Sequence, residues 1–361
     1  MIRIDHLSVW DLILTTRSPL HIGTGTICAK PDYLFEPRTE TVSMIDREAL
    51  FAWLFKKRLA DRYERFVLSG DTHLYRFLKD NGITNPELAD LCFYKIHAAD
   101  ALDDRHSLKE IHPFLRDPQR LAFVPGSSVK GALRTAILAG MMEKEKKGDW
   151  PNDPGKMSAL EGLYLNRLAL KRDRNGAGLN DPVNSLLRGL SISDSEPIPD
   201  ADLLLVGKID VNEKGEARTL PLVRECVRPG TELRFRLTID HSVLPTEFSP
   251  ETLKATVREF DSFYQRIFLS RFTPPPNAAP VSYQDALILG GGAGFFAKTL
   301  AYPYLGTLKG MRYTESCMRR QFSRHGHEND IAKHGISPHT MKYGKYKGRL
   351  YPFGVCEVKL I

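Results

Sequence analysis

The chain has 361 residues, 42% hydrophobic and 26% charged, which is enough apolar content to build cores and excludes bulk disorder. Lys and Arg number 51 against 44 Asp and Glu, giving a formal net charge of +7 at pH 7, and that sign favours a polyanionic partner such as a phosphate backbone. The cysteines (Cys28, Cys92, Cys226, Cys317 and Cys356) are scattered and form no CxxC pair, which excludes a zinc ribbon, argues against a disulfide framework and fits a reducing compartment.

In chain order, Met1 to His6 lacks the apolar region of a secretory signal, and no run of about 18 apolar residues follows, so a cytoplasmic protein is expected. Ser8 to Thr16 reads as a first strand with Trp10, Leu12 and Leu14 on one face. A Pro- and Gly-containing loop follows, Arg17 to Thr26. Asp46 can cap a helix with the stripe Leu50, Phe51, Leu54, Phe55 and Leu59. The segment from about 61 to 120 is mixed and mostly helical, and reads as an insertion. After the turn Phe123-Val124-Pro125-Gly126, the spacing of Val129, Leu133, Ile137 and Met141 predicts a helix. Leu190 to Ser195 reads as a short strand. Leu203–Val211 and Glu216–Val227 flank Asn212-Glu213-Lys214-Gly215 as a hairpin. Thr231 to Asp240 alternates as a strand. Leu253, Val257, Phe260, Tyr264 and Ile267 form a helical stripe. Arg319 to Gly348 is basic and reads as a mobile surface, and Val355 to Ile361 is the last strand. Strands and helices are partly segregated, which predicts an α+β class with antiparallel sheets, and a split βαβ module used twice fits it. The division expected is 1–200 and 201–361.

Four segments carry chemistry. In Pro125-Gly126-Ser127-Ser128-Val129-Lys130-Gly131-Ala132-Leu133-Arg134-Thr135, Ser127 or Ser128 can serve as N-cap, leaving helical N–H groups for an anion. Lys130 and Arg134, four apart, lie about 40° apart on one face. The segment is not a nucleotide-binding P-loop, because Ala132 and Leu133 stand where Lys and Ser or Thr are needed. The loop Gly290-Gly291-Gly292-Ala293-Gly294-Phe295 suits a backbone that approaches a ligand closely, its N–H groups forming a nest for phosphate, with Lys298 and Phe295 adding a charge and a stacking surface. His21-Ile22-Gly23-Thr24-Gly25 offers a histidine beside a glycine turn, a possible general base with no identifiable second acid. His325-Gly326-His327, with His334, His339 and Cys317, matches no usual zinc spacing, and no metal is expected there. The acidic residues form no paired cluster for two-metal chemistry, Asp103-Asp104 being a lone pair.

Taken together, Leu20-His21-Ile22-Gly23-Thr24-Gly25, Val124 to Gly131 with Arg134-Thr135, Ile192-Ser193-Asp194-Ser195, the glycine-rich loop and Pro352-Phe353-Gly354 resemble the RAMP superfamily of CRISPR proteins. Within it the chain is most similar to the fifth subunit of the Csm complex, the type III-A effector. The resemblance implies two ferredoxin-like (RRM/RAMP) domains with antiparallel sheets and a helical insertion. It implies a non-catalytic subunit that binds CRISPR RNA, caps the filament near the RNA 3′ end and assists RNA maturation in antiviral defence. Its partners would be CRISPR RNA, the other complex subunits (chiefly the backbone RAMP subunit) and host nucleases. Ser127, Ser128, Lys130, Arg134, Gly291, Gly292 and Gly294 would contact RNA phosphates. His21, Gly23, Gly25, Phe295 and Lys298 complete the expected RNA-binding set, with no cofactor. Lacking an aromatic RNP1 string, the chain would track backbone rather than read bases. The alternative is a RAMP-type endoribonuclease that cuts precursor RNA with His21 as base; a phosphate-ligand enzyme of another type is a third reading.

Overall fold

The computed structural model describes residues 6–70, 73–102, 108, 110–151, 156–170, 181–244, 248–323 and 326–361. His325 and Asp103-Asp104 lie outside the described residues. The chain runs β1 (Leu7–Thr16), β2 (Tyr33–Glu36), β3 (Thr41–Ile45), α1 (Arg47–Lys56), α2 (Ala60–Leu68), α3 (Leu74–Asp80), α4 (Asn85–Asp90), β4 (Cys92–His97), β5 (Glu110–His112), α5 (Gly126–Lys144) and α6 (Met157–Leu165). It continues through β6 (Leu190–Ile192), β7 (Leu203–Asn212), β8 (Ala217–Val227), β9 (Glu232–Asp240), α7 (Pro250–Ile267), β10 (Ala286–Ile288), α8 (Ala301–Leu305), α9 (Thr307–Gln321), α10 (Asp330–His334), β11 (Thr340–Tyr346), β12 (Arg349–Pro352) and β13 (Val355–Leu360).

The first sheet has the order β10-β13-β1-β9-β6, every neighbour antiparallel. Its core is the ferredoxin-like unit β1-α5-β6-β9-α7-β13, with the fourth, first, third and second strands side by side and β10 added at the edge. Alternation builds this layer. Leu12 and Leu14 of β1, Leu233, Phe235, Leu237 and Ile239 of β9, and Val358 of β13 are buried. They share one core with Val129, Leu133 and Ile137 of α5 and Leu253, Val257 and Phe260 of α7. Each such side chain contributes about 2 kcal/mol of burial.

The second sheet has the order β12-β11-β7-β8-β5. It is two hairpins, β7–β8 and β11–β12, joined antiparallel through β7 and β11, with β5 parallel to β8 at one edge. Its inner face places Ile209, Val211, Met341 and Tyr343 against Phe263 and Tyr264 of α7, Phe296, Tyr302 and Met311. Its outer face carries a small apolar pad of Leu204, Val206 and Cys226 under Phe353. The expected boundary at residue 200 falls between β6 and β7, and strands from both sides of it meet in the first sheet.

The segment expected as an insertion holds α2, α3 and α4, and also β4, which pairs with β3 in a third sheet, β2-β3-β4. The α1 stripe is narrower than expected: Leu50 and Leu54 are buried, but Phe51 and Phe55 are exposed. Trp53 is buried in their place, so the helix turns a different side to Leu74 and Leu78 of α3. The strand expected at 190–195 ends at Ile192: Ser193 still bonds Arg236 of β9, but Asp194 and Ser195 turn to accept from Gly126 and Val124 at the entry to α5. The basic stretch from 319 onward is not a mobile surface in its described residues. It contains the end of α9, α10 and β11, tied down by buried Ile336 and Met341.

Candidate nucleic-acid interface

Three segments singled out in the sequence meet in one layer. Gly354 N–H donates to the Pro19 carbonyl at 2.9 Å, Leu289 N–H to the Gly354 carbonyl at 3.0 Å, and Gly291 N–H to the His21 carbonyl at 2.7 Å. The loop after β1, the glycine-rich loop and the turn before β13 are thereby stitched by backbone. The His21 ring lies between Gly23 and Gly291, and a Cβ on either glycine would stand 2.7 Å from a ring atom. These glycines are needed for close approach of chain to ring.

His21 is 4% exposed. Its Nδ1 is 2.7 Å from the Glu225 carbonyl. A carbonyl only accepts, so Nδ1 carries the proton and Nε2 is the unprotonated nitrogen, on the Gly23 side. Burial pulls the pKa down to about 4; Arg224 and His112 push the same way, and the Glu225 carbonyl opposes them. His21 is therefore neutral at pH 7, enclosed and weakly basic. The Glu225 side chain is fully buried on the other side of β8. It accepts from Tyr94 Oη at 2.8 Å, Phe114 N–H at 3.0 Å and Arg116 Nη2 at 2.8 Å. Burial pushes this carboxyl upward, while Arg116 and the other donors hold it down. The network fixes Phe114, which meets the His21 ring edge-on at 6.4 Å.

The glycine-rich loop leads onto a row of cations. At Gly292 (φ +94°) a Cβ would stand 2.8 Å from Phe353 and 3.0 Å from Arg224 Nη1. The Arg224 guanidinium is 5.4 Å from the Phe353 ring centre, and its Nη1 is buried without a hydrogen-bond partner among the described residues. Strand register sets Val206 beside Arg224, Gly344 beside Lys208, and Lys342 and Arg218 on either side of Asp210. Asp210 is 2.8 Å from Lys342 Nζ and 3.8 Å from Lys208 Nζ. Lys298 Nζ donates to the Gly290 carbonyl at 3.0 Å. Burial lowers the pKa of Arg224, Lys208 and Lys298. Partly desolvated cations beside an open backbone favour an anion, and a guanidinium with a free N–H suits phosphate. Gly294, with no atom within 4 Å of a Cβ, and half-buried Phe295 border this region; Gly25 is open at the tip of its own loop. Sequence reasoning missed Arg224, Lys208 and Lys342. Their alternation with buried Val223, Ile209 and Met341 was the available signal, but β11, more than a hundred residues after the β7–β8 hairpin, had to be aligned with it to use that signal.

The α5 segment differs from its expectation. Its N-cap is Pro125, and neither Ser127 nor Ser128 caps the helix. Ser127 and Ser128 fall inside the first turn because the chain becomes helical at Gly126. Asp194 Oδ1 accepts the Gly126 N–H at 2.9 Å, placing a carboxylate where an anion was expected. Ser195 Oγ accepts the Val124 N–H at 2.9 Å. A Cβ at residue 126 would stand 2.1 Å from the Ile192 carbonyl oxygen, so glycine is required for this contact. Arg134 is paired with Glu161 of α6. Lys130 is half-buried, its pKa lowered by burial, and has no ion pair among the described residues. Of the expected phosphate site, Lys130 alone keeps an uncommitted charge.

A ferredoxin-like core with a glycine-rich loop laid over the turn after its first strand defines a RAMP-type protein. The chain belongs to the RAMP superfamily, whose profile matches residues 13–283. It is 27% identical to the CRISPR system Cms protein Csm5 of Mycobacterium tuberculosis over 98% of each chain. It is also 27% identical to the protein of that name from Streptococcus thermophilus, covering 87% of this chain and 84% of the relative. Among solved structures it is similar to a chain of a Csm–crRNA–target RNA ternary complex, with a TM-score of 0.63 and 18% identity over 97% of this chain and all of the other. The crystal structure of T. onnurineus Csm5 gives a TM-score of 0.63 and 17% identity, with 96% and 99% covered. No described helix is long and apolar enough to cross a membrane.

Proposed function

We propose that the chain is a Csm5-type subunit of a type III-A CRISPR effector. It binds CRISPR RNA without cutting it, caps the filament near the RNA 3′ end and assists maturation. One observation carries the RNA-binding part: the glycine-rich loop lies beside Arg224, whose buried Nη1 has no partner, in a cation row with Lys208 and Lys342. The similarity to Csm5 proteins over nearly the whole chain supports the assignment to that complex. Its partners are then CRISPR RNA, neighbouring Csm subunits and the nucleases that trim the RNA, in the cytoplasm. His21 contributes as a clamp between loops. A 4%-exposed imidazole with a pKa of about 4 is a poor base for a 2′-hydroxyl, which disfavours the endoribonuclease reading.

The test uses purified chain and labelled single-stranded CRISPR RNA across a salt series. Arg224→Ala with Lys298→Ala, two cations with no ion pair among the described residues, should weaken binding and make the log–log salt slope shallower by about 0.7 per lost phosphate contact. Unchanged affinity and slope would refute this interface. Precursor RNA incubated with and without magnesium should remain intact; cleavage abolished by His21→Asn would establish the nuclease reading instead.

A further inference from the structure

We propose that His327, Asp330 and His339 form a binding site for a divalent transition-metal ion, with zinc the best fit. His327 Nδ1 is 3.0 Å from Asp330 Oδ2, and His339 Nδ1 is 2.9 Å from Asp330 Oδ1. One donor atom from each of the three residues falls within 4.8 Å of the others. Tetrahedral zinc with bonds of about 2.0–2.1 Å separates its ligands by about 3.3 Å, a spacing inside the 4.8 Å span of the three donor atoms, so side-chain rotation can bring them onto one ion. Two imidazole nitrogens and a carboxylate oxygen suit zinc, and three protein ligands leave a fourth position for water.

Charge supplies the second argument. Asp330 is 0% exposed, and no Lys or Arg pairs with it among the described residues. A buried carboxylate needs compensation, and neutral imidazoles supply hydrogen bonds but no charge. A divalent cation neutralises the site. Metal binding uses the unprotonated Nδ1 of each ring, the proton moving to Nε2.

Supporting groups are in place. Ser337 Oγ donates to Asp330 Oδ2 at 2.9 Å. The His334 ring stacks on His339 at 4.3 Å, and its Nδ1 is 2.9 Å from Glu213 Oε1 in the β7–β8 turn. Such outer contacts orient metal ligands. The ion would pin α10 and the start of β11 to the second sheet. Nothing in this depends on RNA binding.

The probe is zinc alone, titrated calorimetrically into the chelator-stripped, full-length chain, with cobalt absorption as a second readout. One equivalent should bind, raise the thermal midpoint and, as cobalt, give four-coordinate visible bands. Ser337→Ala should weaken binding by about 10- to 100-fold. His339→Ala and Asp330→Asn should abolish it, while His241→Ala, in the exposed turn just after β9, should not change it. A stripped wild-type chain that is folded by circular dichroism yet takes up no zinc would overturn the proposal. Equal uptake by wild type and a folded His339→Ala chain would do the same. The first of these needs no variant to fold.

Discussion

Burial holds His21 at a pKa of about 4, against 6.5 for the free side chain. Between those values the unfolded chain binds a proton that the folded chain refuses. The contribution of His21 to stability is therefore complete above pH 6.5 and falls as pH drops from 6.5 toward 4. The size is on the order of 3 kcal/mol. Urea unfolding at several pH values should show this slope in wild type and a flatter one in His21→Asn, which keeps a side-chain N–H for the Glu225 carbonyl. Equal slopes would mean that His21 does not govern acid sensitivity. Arg116 poses a sharper case, since it is the cation that faces buried Glu225 at 2.8 Å. Arg116→Ala strands that carboxylate and should cost about 3–5 kcal/mol, read as a drop in urea midpoint. The sequence marked His21 as notable but could not give its state, because the pKa is set first by burial in the folded chain, with the Glu225 carbonyl opposing and Arg224 adding to it, both some two hundred residues away.

The start of α5 shows how an element redirects a motif. Pro125-Gly126-Ser127-Ser128 announces a helix start, and the helix is there. Which group caps it depends on Asp194, brought in by the turn after β6. Asp194→Ala should cost about 1 kcal/mol of stability, measured by thermal unfolding, because it removes the acceptor for an N-terminal N–H. The two cations of this helix should separate in RNA-binding assays. Lys130→Ala should make the salt slope shallower by about 0.7 if it meets a phosphate. Arg134→Ala should leave the slope unchanged, since Glu161 already holds that guanidinium. The reverse result would show that Arg134 leaves Glu161 for RNA.

Across the whole molecule, the last strand completes the first sheet. β13 sits between β10 and β1, with Val355, Cys356 and Val358 buried. A chain ended at Gly354 loses the fourth strand of the ferredoxin-like unit and the pairing of Leu12 to Thr16 with Leu360 to Cys356. It should show no cooperative unfolding transition in urea. A normal transition would mean that the sheet closes without its C-terminal strand. The same topology brings the loops together, because the turn entering β13 lies between Pro19 and Leu289.

The sequence by itself determined the local elements. Period-two alternation gave β1, β7, β8, β9 and β13 to within a residue or two, and helical spacing gave α5 and α7 with their stripes buried except at the last position, where Met141 and Ile267 are only half-buried. It also marked the glycine loops, because four glycines in five residues weaken any regular element and leave a backbone that other groups can approach. Tertiary structure alone decided what those elements do to one another. The β2-β3-β4 sheet, the cap on α5, the cation row across β8, β7 and β11, and the His327–Asp330–His339 cluster all join residues whose separation in sequence carries no distance. Periodicity reports which side of an element is apolar. Charge compensation, pKa and ligand geometry depend on which other element faces it, and that follows from packing of the whole chain.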